Sequence, residues 1–228
     1  MQMQILLMLP YRIMRKSHSK KMIALDLFCG GGGACKGLLD YFDEVVGYDV
    51  DNQSKYYPGT FIQGDVMSLK AIDIEDFDFI WASPPCQRYS TATKRWGVSG
   101  NHPDLVDPVR TLLKDSKVPF VMENVPGSPL IQDLMLCGLM VGLPLIRRHR
   151  IFEISGFDVP QPDHPKHVKG SKYITVAGHP GGKSTRDGSD GRGSTQEWKD
   201  AMGIDWLPSR LLAEAVPPAY SRFIASYF

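Results

Sequence analysis

The sequence is short of several things. Cysteine is scarce, with four in 228 residues: Cys29, Cys35, Cys86 and Cys137. No pair has the close spacing of a metal site, and four scattered thiols are not a disulfide framework. With ten methionines beside them, they point to a reducing, cytoplasmic setting and to no metal. Excess charge is missing as well: 26 Lys and Arg stand against 25 Asp and Glu. No global basic field announces a polyanion, so any nucleic-acid binding needs a local patch. Long apolar runs are absent. Ile5 to Leu9 is too short to span a membrane. Basic residues follow it and no small-residue cleavage site does, unlike a signal peptide. Residues 1–21 read as an N-terminal extension without fixed order, and Met22 could serve as an alternative start. There is no internal repeat.

What is present is alternation. Residues 22–28 read as a buried strand, Gly30 to Gly33 as a turn, and Ala34 to Tyr41 as a helix. Further strands are expected at Glu44 to Tyr48, Thr60 to Gln63, Phe77 to Ala82, Pro119 to Met122 and 148–155. Strands alternating with helices over short links imply a parallel α/β sheet. From 156 to 195 the composition shifts to Gly, Pro, Ser, His and Lys, with one strand-like run at Tyr173 to Ala177. Residues 196–228 return to a helical, apolar pattern. The expected layout is one domain from 22–155 and 196–228, interrupted by a small insert at 156–195.

Two stretches carry chemistry on their residues alone. Ser83-Pro84-Pro85-Cys86-Gln87 follows an apolar strand. Proline cannot continue a sheet ladder and fixes φ, so the backbone before Cys86 is stiff. A thiol held stiffly at the carboxyl end of a strand sits where open α/β sheets place their ligands. The second stretch, Asp26-Leu27-Phe28-Cys29-Gly30-Gly31-Gly32-Gly33, follows a strand and opens a helix. Glycines permit tight turns and close approach of the backbone to a ligand. The strict dinucleotide pattern GxGxxG fails because Cys35 takes its last position. Asp49 ends the second strand at the spacing of a ribose-binding acid, and Asp65 follows the third. An acid at each of three successive strands suits a nucleoside with no pyrophosphate, hence S-adenosylmethionine.

Pro85-Cys86-Gln87 resembles the nucleophile motif of the cytosine-C5 DNA methyltransferases. Val121-Met122-Glu123-Asn124-Val125, Arg148-His149-Arg150 and Ala215-Val216-Pro217-Pro218-Ala219-Tyr220 resemble further motifs of that family, in its order. Met202-Gly203-Ile204-Asp205-Trp206 is similar to another motif as shortened phage-type members carry it. The resemblance implies a Rossmann-like S-adenosylmethionine-dependent methyltransferase sheet with a reduced target-recognition insert. It implies Cys86 as nucleophile, Glu123 as the acid at cytosine N3, Arg150 holding the base and Arg148 supporting it. It assigns the cofactor to Phe28, Gly30, Gly31, Gly33, Asp49, Asp65, Pro85 and Val216.

The chain also departs from the family. Ile146 stands where a Gln is usual, Ala213-Glu214 replaces Gly-Asn, and a long helical segment after Val125 is nearly missing. Strand alternation is expected to put Arg148 and Arg150 on one face and His149 on the other. The loop from Gln87 to Asn101 reads as a lid over DNA, with Gln87, Arg88, Lys94, Arg95 and Trp96 facing the duplex. Lys183, Arg186 and Arg192 of the Gly-rich stretch are expected on phosphates. The expected partner of this monomer is duplex DNA, in a bacterial or phage-infected cell, with no membrane. Three other readings stay open. They are a tRNA cytosine-C5 methyltransferase, a catalytically impaired DNA-binding relative, and transfer of a different group to C5.

Overall fold

The computed structural model describes residues 20–90, 97, 99–168, 171–181 and 193–228. Lys94, Arg95, Trp96, Lys183, Arg186, Arg192 and residues 1–19 lie outside them. Seven strands form one sheet in the order β3-β2-β1-β4-β5-β7-β6. They are β1 (Ile23–Leu27), β2 (Glu44–Asp49), β3 (Thr60–Gln63), β4 (Phe79–Ala82), β5 (Phe120–Asn124), β6 (Leu134–Leu136) and β7 (Arg150–Ser155). β7 runs antiparallel to both β5 and β6, while β3, β2, β1, β4 and β5 pair in parallel. The carboxyl ends of β1, β2, β4 and β5 therefore share one edge. The start of β7 reaches that same edge, with Ile151 paired to Asn124.

Period-two alternation gives the central strands two apolar faces. Ala24, Phe79, Trp81, Val121 and Phe152 form one, covered by α1 (Gly33–Leu38) and α6 (Pro218–Ala225). These two helices pack closely: the Ser221 hydroxyl donates to the Ala34 carbonyl at 2.7 Å. Leu25, Ile80, Phe120 and Met122 form the other face, under α2 (Ala71–Ile74) and α3 (Val106–Ser116). α3 buries Val106, Val109 and Leu113, spaced as one helical stripe. Arg110 on α3 reaches buried Glu153 of β7 with Nη2 at 2.7 Å from Oε2, tying helix to sheet. A separate apolar cluster joins Ile146 and Val176 to α4 (Thr195–Met202) and α5 (Ser209–Glu214) through Trp198, Met202, Leu211 and Leu212.

Several expectations change. Tyr173 to Ala177 is not a strand. Ile174 N–H bonds the Leu145 carbonyl at 2.8 Å, and Val176 sinks into the α4–α5 cluster, so packing replaces a ladder. α3 and the three-residue β6 were not foreseen; β6 is too short to show a period. β5 continues through Glu123 to Asn124, and β7 begins only at Arg150. Arg148 therefore lies outside the strand, and strand alternation does not set its direction. Lys20 and Lys21, read as part of an unordered extension, instead pair with Asp78 at 3.1 Å and Glu44 at 2.7 Å.

Candidate active site

The polypeptide turns sharply after β1. Phe28 adopts φ 56°, Gly30 φ 49° and Gly32 φ 80° before α1 begins. A left-handed conformation is costly for a bulky residue such as Phe28, and such positions gather at ligand sites. Asp49, at the end of β2, accepts from Gly30 N–H at 2.9 Å and from Asp51 N–H at 3.0 Å. It braces the loop and keeps free lone pairs for a ligand hydroxyl. A Cβ at Gly30 would meet open space, whereas one at Gly31 would strike Leu207 and one at Gly33 the Val216 carbonyl. Gly30 is thus the open floor of the loop, while Gly31 and Gly33 admit the C-terminal segment. Trp206 closes the same wall, its indole N–H donating to the Gly31 carbonyl at 3.0 Å. Asp65 is exposed and caps the short turn that follows it, accepting from Met67 N–H at 2.9 Å. Val50, directly after Asp49 at the end of β2, leaves 64% of its surface exposed.

This cradle fits a nucleoside-bearing cofactor. It offers an open glycine floor, acids for hydroxyl and amino groups, and Val50 as an uncovered apolar plate for a base. Sequence reasoning missed Val50, Trp206 and Leu207, although Trp206 stands in a motif it had quoted. Asp26 does not face the cradle. It is buried under Tyr57, whose hydroxyl donates to it at 3.2 Å. Burial raises its carboxyl to about 8, despite that bond.

Cys86 follows β4 after Ser83-Pro84-Pro85 and is half-buried, whereas Cys29, Cys35 and Cys137 are buried. Buried Asn124 fixes this turn by donating from Nδ2 to the Pro84 carbonyl at 3.0 Å. Tyr89 and Ser90 N–H groups, at 3.0 and 2.9 Å, bond the Cys86 carbonyl and turn the chain onward. Pro85 and Gln87 flank the thiol and are half-buried. Burial pushes the Cys86 thiol up, and the Arg150 charge is the strongest influence pulling it back. Cys35, pushed to about 12 by burial, has no such cation as its main counterweight.

Glu123 is buried on β5, directly paired with Phe152 of β7. Arg150 lies two residues before Phe152, hence on the same face. Its Nε sits 2.6 Å from Glu123 Oε1, a charge contact and not a well-aimed hydrogen bond. Burial raises the Glu123 carboxyl; Arg150, Arg148 and a hydrogen bond with Ser83 oppose it. Trp81 orients Ser83 in turn, its indole N–H donating to the hydroxyl at 2.9 Å.

Arg148 is the buttress. Nη1 donates to the Val176 carbonyl at 2.7 Å and Nη2 to the Ala213 carbonyl at 2.8 Å. The Tyr220 hydroxyl donates to the Arg148 carbonyl. Burial first, and the Arg150 charge second, push this guanidinium down to about 9, still protonated at neutral pH. Arg148 thus locks the C-terminal segment onto the site. Ile146, the departure from the family's Gln, is 1% exposed in the α4–α5 cluster, where an apolar side chain is required. Glu214 is exposed at the end of α5, and Val216 is buried against Gly33. Arg88 donates from Nη1 to the His102 carbonyl at 3.0 Å and pairs with Asp104 at 3.5 Å, which ties the chain just after Cys86 to residues 102–104.

Residues 22–129 match the family described as C-5 cytosine-specific DNA methylase. The type II methyltransferase M.NlaIV of Neisseria lactamica is 31% identical over 116 residues, 45% of this chain and 27% of that protein. M.BsuFI of Bacillus subtilis is 30% identical over 120 residues, 50% of this chain and 29% of that protein. The chain therefore matches about a third or less of the length of these curated relatives. Among solved structures, the Entamoeba histolytica methyltransferase EhMeth superposes with a TM-score of 0.57 at 16% identity, covering 92% of this chain and 98% of that one. The S. pombe Dnmt2 methyltransferase gives 0.53 at 14% identity, covering 91% and 98%. Both share the fold. The segment matched to the C-5 cytosine-specific DNA methylase family carries the glycine loop, Cys86 and Glu123.

Proposed function

We propose that this protein transfers a methyl group from S-adenosylmethionine to C5 of a cytosine flipped out of duplex DNA. The observation that carries the reading is the convergence of Cys86, Glu123 and Arg150 beside the glycine cradle, from three separate strands. A nucleophile, a buried carboxyl and a guanidinium in mutual electrostatic reach are what C5 activation requires. Cytosine C5 is a poor nucleophile until a thiolate adds at C6 and the ring charge is neutralised.

Phe28, Gly30, Asp49, Asp65 and Val50 would hold the cofactor, with Pro85, Gly31, Gly33 and Val216 shaping the wall. Bound there, S-adenosylmethionine supplies an electrophilic methyl carbon. Cys86 forms a bond to C6 while Glu123 gives a proton to N3, and the ring electrons move onto C5. Arg150 lies against Glu123 and would donate to the base. Once C5 carries the methyl, a water takes the C5 proton, the C6–sulfur bond breaks with release of the Cys86 thiolate, and N3 returns its proton to Glu123. Burial that raises Glu123 favours its acid form, as a general acid near neutrality needs. Burial that raises Cys86 keeps the idle thiol protonated, so ionisation belongs to the bound complex.

Duplex DNA is the proposed substrate and the cytoplasm of a bacterial or phage-infected cell the proposed setting. Gln87 and Arg88, with Lys94, Arg95 and Trp96 beyond them, are proposed on the DNA side. Lys183, Arg186 and Arg192 are proposed on phosphates. An intact Cys86–Glu123–Arg150 set disfavours an impaired binding relative. Sequencing DNA from an expressing host, scored for 5-methylcytosine by context, tests the reading. Modified cytosines in a short recurring context are expected. Unmodified DNA with methylated tRNA cytosine instead would replace duplex DNA by RNA.

A further inference from the structure

Cys137, His149, His164 and His167 come together although they are far apart in sequence. Their candidate ligand atoms all lie within 4.8 Å of one another. Cys137 Sγ is 3.4 Å from His167 Nε2, and His149 Nε2 is 3.1 Å from His164 Nε2. A tetrahedral zinc with its usual Zn–N and Zn–S bonds spaces its ligand atoms roughly 3.3–3.6 Å apart. The two separations sit close to that range.

The setting of each residue is that of a fixed site. Cys137 directly follows β6, and His149 directly precedes β7. His164 and His167 lie on the segment after β7, spaced as His-x-x-His. Gln161 clamps that segment to the outer strand, accepting from Met135 N–H at 2.9 Å and donating to the Met135 carbonyl at 2.8 Å. The His149 ring bonds the Arg147 backbone, the kind of outer partner that orients a metal-bound imidazole.

We propose that these four residues form a structural zinc site. One thiolate and three imidazoles suit zinc; calcium and magnesium take oxygen ligands. Four protein ligands close the tetrahedron and leave no open position for a reactive water, so the ion is structural. It would staple the insert to the sheet edge through His149, which lies between Arg148 and Arg150. The histidines would thereby act as positioning residues for those arginines. The expectation of no metal rested on cysteine spacing, which cannot reveal a site with one cysteine.

The test is independent of methyl transfer. The full chain, purified without a histidine tag, should carry about one zinc per molecule by elemental analysis. His164→Ala and His167→Ala should each lose most of it, and so should Cys137→Ser. Because Cys137 is buried and its variant could misfold, the wild-type chain stripped by chelator is also titrated with cobalt(II) alone. One equivalent should produce intense tetrahedral d–d absorption and a thiolate-to-cobalt charge-transfer band. His164→Ala, altered at an exposed residue, should fold yet fail to give that spectrum. Wild-type protein with far less than one zinc and no thiolate–cobalt band would overturn the site. So would metal content unchanged in both histidine variants, or stoichiometric copper in place of zinc.

Discussion

At the scale of single residues, the site turns on one shared proton. The proposed reaction needs Cys86 as thiolate and Glu123 as acid, so together they carry one proton. Burial raises both groups above their ordinary values. At low pH the pair holds two protons, and at high pH none. The rate should therefore trace a bell. In Glu123→Gln the alkaline fall should vanish, because the amide has no proton to lose on that limb. The rate should climb with pH until Cys86 has ionised, from a level lower by about two to four powers of ten. Single-turnover methylation measured across pH checks this; an alkaline fall that survives in the variant would assign it to another group. Cys86, Glu123 and Arg150 could be singled out in the sequence because each stands in a short motif, and the fold brings the three together. The role of Arg148 could not. Its partners, the carbonyls of Val176 and Ala213, are brought to it only by the folded chain. His149 was equally opaque, since its neighbours His164 and His167 belong to another segment.

At the scale of elements, the glycine loop is a junction between the beginning and the end of the chain. Sequence periodicity found β1 to β4 well, because continuous apolar runs between glycines and acids mark buried strands. It failed where tertiary packing decides, as at Tyr173 to Ala177. The junction explains why Gly33 is glycine. A Cβ there would run into the Val216 backbone carbonyl, which cannot swing aside as a side chain can. Gly33→Ala should lower stability by about 1–3 kcal/mol, the range for overpacking a tight contact. Urea unfolding should show an earlier midpoint at unchanged slope. Gly30→Ala meets no atoms, so any loss there comes from its φ of 49° and from the cofactor side of the loop. Equal stability of Gly33→Ala and the parent would show that the C-terminal segment is not seated on the loop.

At the scale of the molecule, a nearly neutral chain is proposed to act on a polyanion. The sheet gathers Cys86, Glu123 and Arg150 at one edge from strands that are distant in sequence, and antiparallel β7 alone brings its arginine to that edge. This arrangement makes the account testable in a single complex. Duplex DNA bearing 5-fluorocytosine at the target, with S-adenosylmethionine, should hold the protein covalently. Fluorine cannot leave C5 as a proton does, so the C6–sulfur bond persists after methyl transfer. The adduct should survive denaturing electrophoresis, and peptide mapping should place it on Cys86. Cys86→Ser should form none while still binding DNA, because a hydroxyl is far less ionised than a thiol at neutral pH. An adduct in Cys86→Ser, or one mapped to Cys29, Cys35 or Cys137, would contradict the assignment of the nucleophile.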